Sequence, residues 1–326
     1  MAESATFASK AYFKSTDAQG VWSLAWRRMR RNRPALISAV IVLLYVLAGL
    51  FADVLAPHSP VKAISGKAQL PPFWRAESPA GQKYDSQFLL GTDSAGGGRD
   101  IVSRLLYGTR SSLVAGLLPA IVVLLIGTVI GFVSGYVGGM TDNILMRIND
   151  VFYAIPIELI LILVMISLGE TKFGRLGNGI WLFLLALASV TWSGLARQMR
   201  GSALALRNLE FVEAARSLGA SDGHIIFKHV LPNSIGILVV WMAFAIPRFI
   251  IAEAALGYIG LGLRPSLNAK DFFVTSWGRL FIDAYSTVTG QPDYLLVVAV
   301  VVSVLVIAFT FLGDGLRDAL DPRMKK

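Results

Sequence analysis

Six apolar runs, each near the ~20 residues a helix needs to cross a bilayer, constrain this chain more than any other feature. They fall at roughly 34–55, 112–136, 148–168, 180–195, 234–256 and 294–312. In lipid every backbone N–H and C=O must be satisfied within the protein, which leaves helices or closed barrels. Runs of this length without period-2 alternation select helices. The chain is 55% hydrophobic and 16% charged, whereas a soluble domain carries about 25% charged residues. The expected fold is therefore an all-α polytopic membrane protein with six transmembrane helices, not a disordered chain or a soluble enzyme.

The net charge of +9 does not point to nucleic acid. Lys and Arg flank the apolar runs, as the positive-inside rule expects. Residues 1–33 carry 7 of them, 196–233 carry 5 and 313–326 carry 4. The two short opposite loops, 169–179 and 263–293, carry 2 and 3. The long Pro-containing loop 56–111 carries 7, but the rule weakens for long loops. This pattern predicts both termini and the 196–233 loop on the cytoplasmic side, with 56–111 outside. Within 1–33, Trp22, Trp26 and Met29 recur at helical spacing among Arg27, Arg28, Arg30, Arg31 and Arg33. That spacing fits an interfacial elbow helix as well as a generic basic flank.

There is no cysteine, no HExxH and no GxxxxGK[ST] nucleotide loop. Any ATP-driven work therefore belongs to another chain. Gly127, Gly131, Gly135 and Gly139 recur every four residues, a small-residue ladder that lets a second helix approach closely. That helix could be in this chain or in a second permease. Glu158, Arg248 and Glu253 lie inside apolar runs. Ionisable groups at bilayer depth usually face protein or water, so these three are candidates for a translocation path. A structural pairing of Glu158 with Arg248 is the competing reading. His224 and His229 lack further ligands, and no metal site is expected.

Residues 210–232 read EFVEAARSLGASDGHIIFKHVLP. Phe211, Ala214, Ala215 and Leu218 predict an apolar stripe on a short helix. Gly219 suits a left-handed cap, and a second short helix is predicted to end at Pro232. Glu213-Ala214-Ala215, Gly219 and Leu231-Pro232 resemble the EAA motif of binding-protein-dependent ABC importer permeases. His229 stands where many permeases have Ile, as the peptide-importing branch often does. GTDSAGGGRDIVSRLLYGTRSSL (91–113), with Gly97 and Gly98 inserted, resembles a second segment of the oligopeptide, dipeptide and nickel permeases of C type. So do ALGYIGLG with Ser276-Trp277-Gly278, and GDGLRDALDPR at 313–323.

The resemblance implies a type I ABC importer permease fold with a cytoplasmic EAA coupling helix, in a bacterial inner membrane. It assigns ATPase coupling to Glu213, Ala214, Ala215, Gly219, His229, Leu231 and Pro232. The implied partners are a homologous B-type permease, two ATP-binding subunits and an extracytoplasmic binding protein. ATP and Mg would be bound by the ATPase subunits, with no cofactor on this chain and no catalytic residue. Peptides are the expected solute, with nickel or another small solute as the alternative. A secondary transporter would predict inverted repeats and broken helices at mid-membrane. A membrane-embedded enzyme would predict a catalytic constellation. Neither pattern is seen in the sequence. The external loop, with Lys62, Lys67, Arg75 and Lys83, is read either as a binding-protein dock or as a cap over the mouth.

Overall fold

The computed structural model describes residues 21–94 and 97–320. The expectations for residues 1–20 and 321–326, and for the Trp22 side chain, lie outside the described residues. Among the described residues the architecture is a helix bundle without named strands. The elbow helix α1 (Val21–Met29) leads into α2 (Arg33–Leu50) and the single turn α3 (Ala52–Leu55). After a long irregular segment come α4 (Ile101–Val137), α5 (Gly139–Ala154), α6 (Ile157–Leu168) and α7 (Ile180–Leu206). Two short helices, α8 (Glu210–Ser217) and α9 (Asp222–Ile225), precede α10 (Leu231–Tyr258), α11 (Trp277–Ser286) and α12 (Pro292–Leu320).

Five helices are long and apolar enough to cross a membrane. Six crossings are reached when α5 and α6, bent by 78° at Ile155–Pro156, count as one. Pro156 is the cause: it has no N–H to donate, and it forces the residue before it out of helical geometry. Ile155 is accordingly extended. The third apolar run is therefore a broken span, and Glu158 sits in the first turn after the break rather than mid-helix.

Several helix limits differ from those read in the sequence. The second span starts at Ile101, not Ser112, because the Asp100 side chain accepts from the Ser103 N–H at 2.8 Å and caps the helix there. The external segment thus ends at residue 100. The sixth helix runs through Leu320, so the described part of the tail is helical. α7 continues to Leu206, well past the apolar run. Pro232 does not end a helix. It lies in the first turn of α10, where its missing N–H costs nothing.

The 37-residue α4 is the axis of the fold, packed on α7, α10 and α2. Its glycines make this possible. A Cβ on Gly127 would lie 2.9 Å from the Leu195 Cβ, and one on Gly131 2.5 Å from the Ala196 carbonyl oxygen. One on Gly135 would lie 2.5 Å from the Arg200 carbonyl oxygen. The ladder therefore packs within the chain, against α7. Gly139 is not part of it. Gly138 breaks the helix at φ +72°, and Gly139 opens α5 at φ +58° with nothing near it.

One end of the bundle gathers α1, the end of α12 and α8–α9. Arg28 donates to the Ala319 carbonyl at 3.4 Å, Leu320 approaches Gly236 near the start of α10, and Tyr136 donates to Asp222 at 3.0 Å. The opposite end is built from residues 56–100, 169–179 and 259–291.

Candidate functional site

The α8–α9 elbow is held to the bundle by three fully buried side chains, Val212, Ile225 and Val230. They join Phe132, Tyr136, Leu195 and Met199 in one apolar cluster, with Ala215 and Leu231 half-buried against it. The stripe expected from Phe211, Ala214, Ala215 and Leu218 is therefore split. Ala215 faces the bundle, while Phe211, Ala214 and Leu218 face outward, Leu218 at 89% exposure. Val212, one residue from the expected stripe, is the anchor. Gly219 adopts φ +84°, and the Ala220 N–H returns to the Ala215 carbonyl at 3.1 Å, the closure that a left-handed glycine permits.

Glu213 is exposed in the first turn of α8, where a carboxylate suits the helix dipole. Among the described residues it makes no ion pair within the chain. His229 is half-buried, its ring 5.9 Å from Phe211 and 6.4 Å from His224. Residues 226–230 form a π-helical turn running directly into α10. Leu209, Phe211, Leu218 and Phe227 present exposed apolar surface, rimmed by Glu210, Glu213, Asp222 and Lys228. Among the described residues nothing in the chain covers this patch.

On α10 the same helix reaches a second feature. An apolar cavity of about 500 Å³ lies between α6, α10 and α12. Glu158 and Arg248 both line it, with Leu161, Phe244, Phe249 and Thr310 among the other walls. The two charges share the cavity but form no ion pair within 4.0 Å among the described residues, so the structural pairing is not present. Glu253 is on the far side of α10, fully buried. It does not line the cavity: five residues from Arg248 along a helix, it faces the bundle instead.

Two polar assemblies escaped the sequence reading. At the elbow end, Arg200 grips Asp142 bidentately, both bonds at 2.6 Å. Arg197 donates to Asn149 at 3.0 Å and Asp150 at 2.7 Å. These join α5 to α7. The signal was legible: Asp142, Asn149 and Asp150 at i, i+7, i+8 share one face, as do Arg197 and Arg200 at i, i+3.

At the other end, Arg104 is 1% exposed and bridges Asp93 and Asp283, the latter at 2.7 Å. Arg99 adds to Asp93 at 2.9 Å, and Arg279 to Asp283 at 3.0 Å. This cluster, built from the 91–104 motif, ties the segment before α4 to α11. Gln291 donates to the Leu70 and Thr92 carbonyls, and Arg75 meets Asp293 at 2.8 Å. Lys67 meets Asp85 at 2.6 Å and holds that carboxyl below the usual carboxylate range. Two of the four cations proposed for docking, Lys67 and Arg75, are thus engaged within the chain. Beside them Glu170 accepts from Arg264 and Arg175, in that order of effect, which lowers its carboxyl pKa and joins loop 169–179 to residue 264.

Residues 127–326 match the family model described as binding-protein-dependent transport system inner membrane component. The chain belongs to that family. Residues 20–72 match the N-terminal transmembrane domain of oligopeptide transport permease C. The dipeptide transport system permease protein DppC of Bacillus subtilis is 35% identical over 93% of this chain and 86% of its own length. The oligopeptide permease protein OppC of the same organism is 33% identical, over 96% and 93%. The glutathione transport system permease protein GsiD of Pectobacterium atrosepticum is 34% identical, over 93% and 92%. Among solved structures, an inward-facing MetNI methionine ABC transporter chain superposes with a TM-score of 0.51 at 19% identity. It covers 67% of this chain and 96% of that one. The fold is that of an ABC importer permease, and the chain is a multi-pass membrane protein.

Proposed function

We propose that this permease imports peptides, as half of a translocation path completed by a homologous B-type permease. Two ATP-binding subunits carry ATP and Mg and dock on the elbow; an extracytoplasmic protein delivers the solute; this chain holds no cofactor. Both termini face the cytoplasm, the side of the elbow. The observation that carries the reading is the junction of elbow and cavity. An uncovered apolar patch among exposed charges of both signs ends in a π turn that runs without a loop into the helix that walls the cavity. A push on α8–α9 therefore reaches the path through one rigid element. The relatives named for dipeptides, oligopeptides and glutathione, itself a peptide, support the solute class.

In this reading Glu213 offers a charge-assisted contact to the ATPase, and Ala214 lets the subunits approach. Ala215, Leu231 and Val212 seat the elbow. Gly219 sets its turn, and His229 braces Phe211. Pro232 starts α10. The test is uptake of labelled di-, tri- and penta-alanine by the reconstituted assembly. Glu213→Lys is expected to reduce uptake about tenfold or more, with the chain still assembled with its permease partner, because a charge-assisted interface contact becomes a repulsion. Absence of peptide uptake by the wild-type assembly, or full uptake by Glu213→Lys, contradicts the reading.

The cavity makes a separate prediction. Glu158 and Arg248 offer one charge of each sign to a zwitterion in an apolar site. Glu158→Gln is expected to lower uptake of a lysine-containing peptide about two- to fivefold relative to a neutral one, the size of a partly solvated ion pair. Competition between the two peptides in one assay reads this directly, and an unchanged ratio removes Glu158 from the path.

A further inference from the structure

Glu253 is a fully buried carboxylate on a membrane-spanning helix, and neither the cavity nor the elbow uses it. A carboxylate at that depth is costly unless the protein supplies donors. Here three separate parts of the chain close around it. Ser112 of α4 donates to its Oε2 at 3.3 Å. Ser276, which caps α11, and residues 263 and 278 lie close to the carboxyl, and its Oε1 has no hydrogen-bond partner among the described residues. The Ser112 oxygen in turn accepts from the Trp277 N–H at 3.0 Å. Glycines make the approach possible. A Cβ on Gly278 would lie 3.0 Å from Oε1 of Glu253, and one on Gly262 would lie 3.4 Å from it.

The position of this knot matters as much as its chemistry. α10 has 28 residues, about 42 Å at 1.5 Å per residue. Its first residue follows the π turn of the elbow directly, and Glu253 lies near its other end. Between them Phe244, Arg248 and Ala252 wall the cavity. We propose that Glu253 is a positioning residue: it anchors the outer end of α10 to α4, α11 and residues 261–263. A displacement of the elbow then moves the cavity wall and the outer closure together. With the anchor lost, α10 still follows the elbow, but its motion no longer carries the outer end. ATP hydrolysis would proceed without matching transport. The proposal rests on the importer reading above.

Glu253→Gln keeps the volume and replaces the carboxyl with an amide. Its amide NH₂ would have to face N–H donors where a carboxylate accepts. The experiment measures peptide uptake and ATP hydrolysis in parallel, in the complete reconstituted assembly with its binding protein. The solute is the labelled alanine peptide that the wild type takes up best. Glu253→Gln is expected to keep ATP hydrolysis within about twofold while peptide taken up per ATP falls about tenfold. Ser112→Ala, which deletes one donor, is expected to lower the same ratio about threefold, and it decides the matter if Glu253→Gln does not assemble. A coupling ratio within about twofold of wild type in every assembled variant overturns the anchor and leaves the importer reading intact. A wild-type assembly that takes up no peptide overturns the importer reading and the anchor together.

Discussion

Arg104→Met is expected to cost about 3–5 kcal/mol, the penalty for breaking a buried ion pair by removing one partner. Arg104 is 1% exposed and bridges Asp93 and Asp283, as the less buried Arg99 does at 2.9 and 3.4 Å. Methionine matches the length of the aliphatic stem but leaves two buried carboxylates facing each other's charge. Arg99 and Arg279 remain, on the more exposed side, and neutralise them only in part. The loss corresponds to a fall in Tm of roughly 6–10 °C for a chain of this size, measured by intrinsic fluorescence in mild detergent. The triple variant Arg104→Met/Asp93→Asn/Asp283→Asn is expected to recover part of the loss, because the orphaned charges go with their partner. A single variant as stable as wild type would show that the cluster is solvated and not a tie. The same variant is expected to make residues 56–100 sensitive to protease, since Asp93 is one of the contacts that hold that segment to α11.

Gly131→Leu is expected to prevent stable folding altogether. The Cβ alone would lie 2.5 Å from the Ala196 carbonyl oxygen and 2.6 Å from the Met199 Cβ. Backbone on one side and a packed side chain on the other cannot both give way. Overpacking a core commonly costs about 1–3 kcal/mol, but here it also separates the most extensively packed helix pair among the described residues, which in lipid depends on close packing. The measure is the yield of monodisperse protein after size exclusion, with Gly194→Ala as the control. Gly194 is helical on α7 with nothing within 4 Å of its added Cβ, so that variant is expected to behave as wild type. Equal yields for the two variants would remove the α4–α7 seam as the organising contact.

These two sites differ in how far they could be read in advance. The four-residue glycine spacing marks a close helix contact, leaves the partner open and places the last rung wrongly. Gly139 drops out because Gly138 ends the helix first. The Arg104 cluster was quoted as a motif, yet its chemistry was hidden. Asp283 is 179 residues away from Arg104, and sequence spacing carries no information about that meeting. The elbow lies between these cases. Its glycine cap and its two short helices follow from local propensity. Which of Phe211, Val212, Ala214 and Ala215 turns inward does not, because eight residues of helix hold too few turns to define one face.

The sequence by itself determined the class of protein: long apolar runs leave the backbone no solution but helices. It also determined the local stop at Gly219, since glycine releases φ; the breaks at Gly138 and Pro156 appeared only in the folded chain. Tertiary structure decided what each charged residue is for. Glu158 and Arg248 open to one cavity, Glu253 is sealed among donors on the opposite side of α10, and Arg104 is caught between two aspartates. A charge inside an apolar run states only that a partner must exist; packing chooses which one, because the cost of burial is settled by the groups that distant segments bring to it.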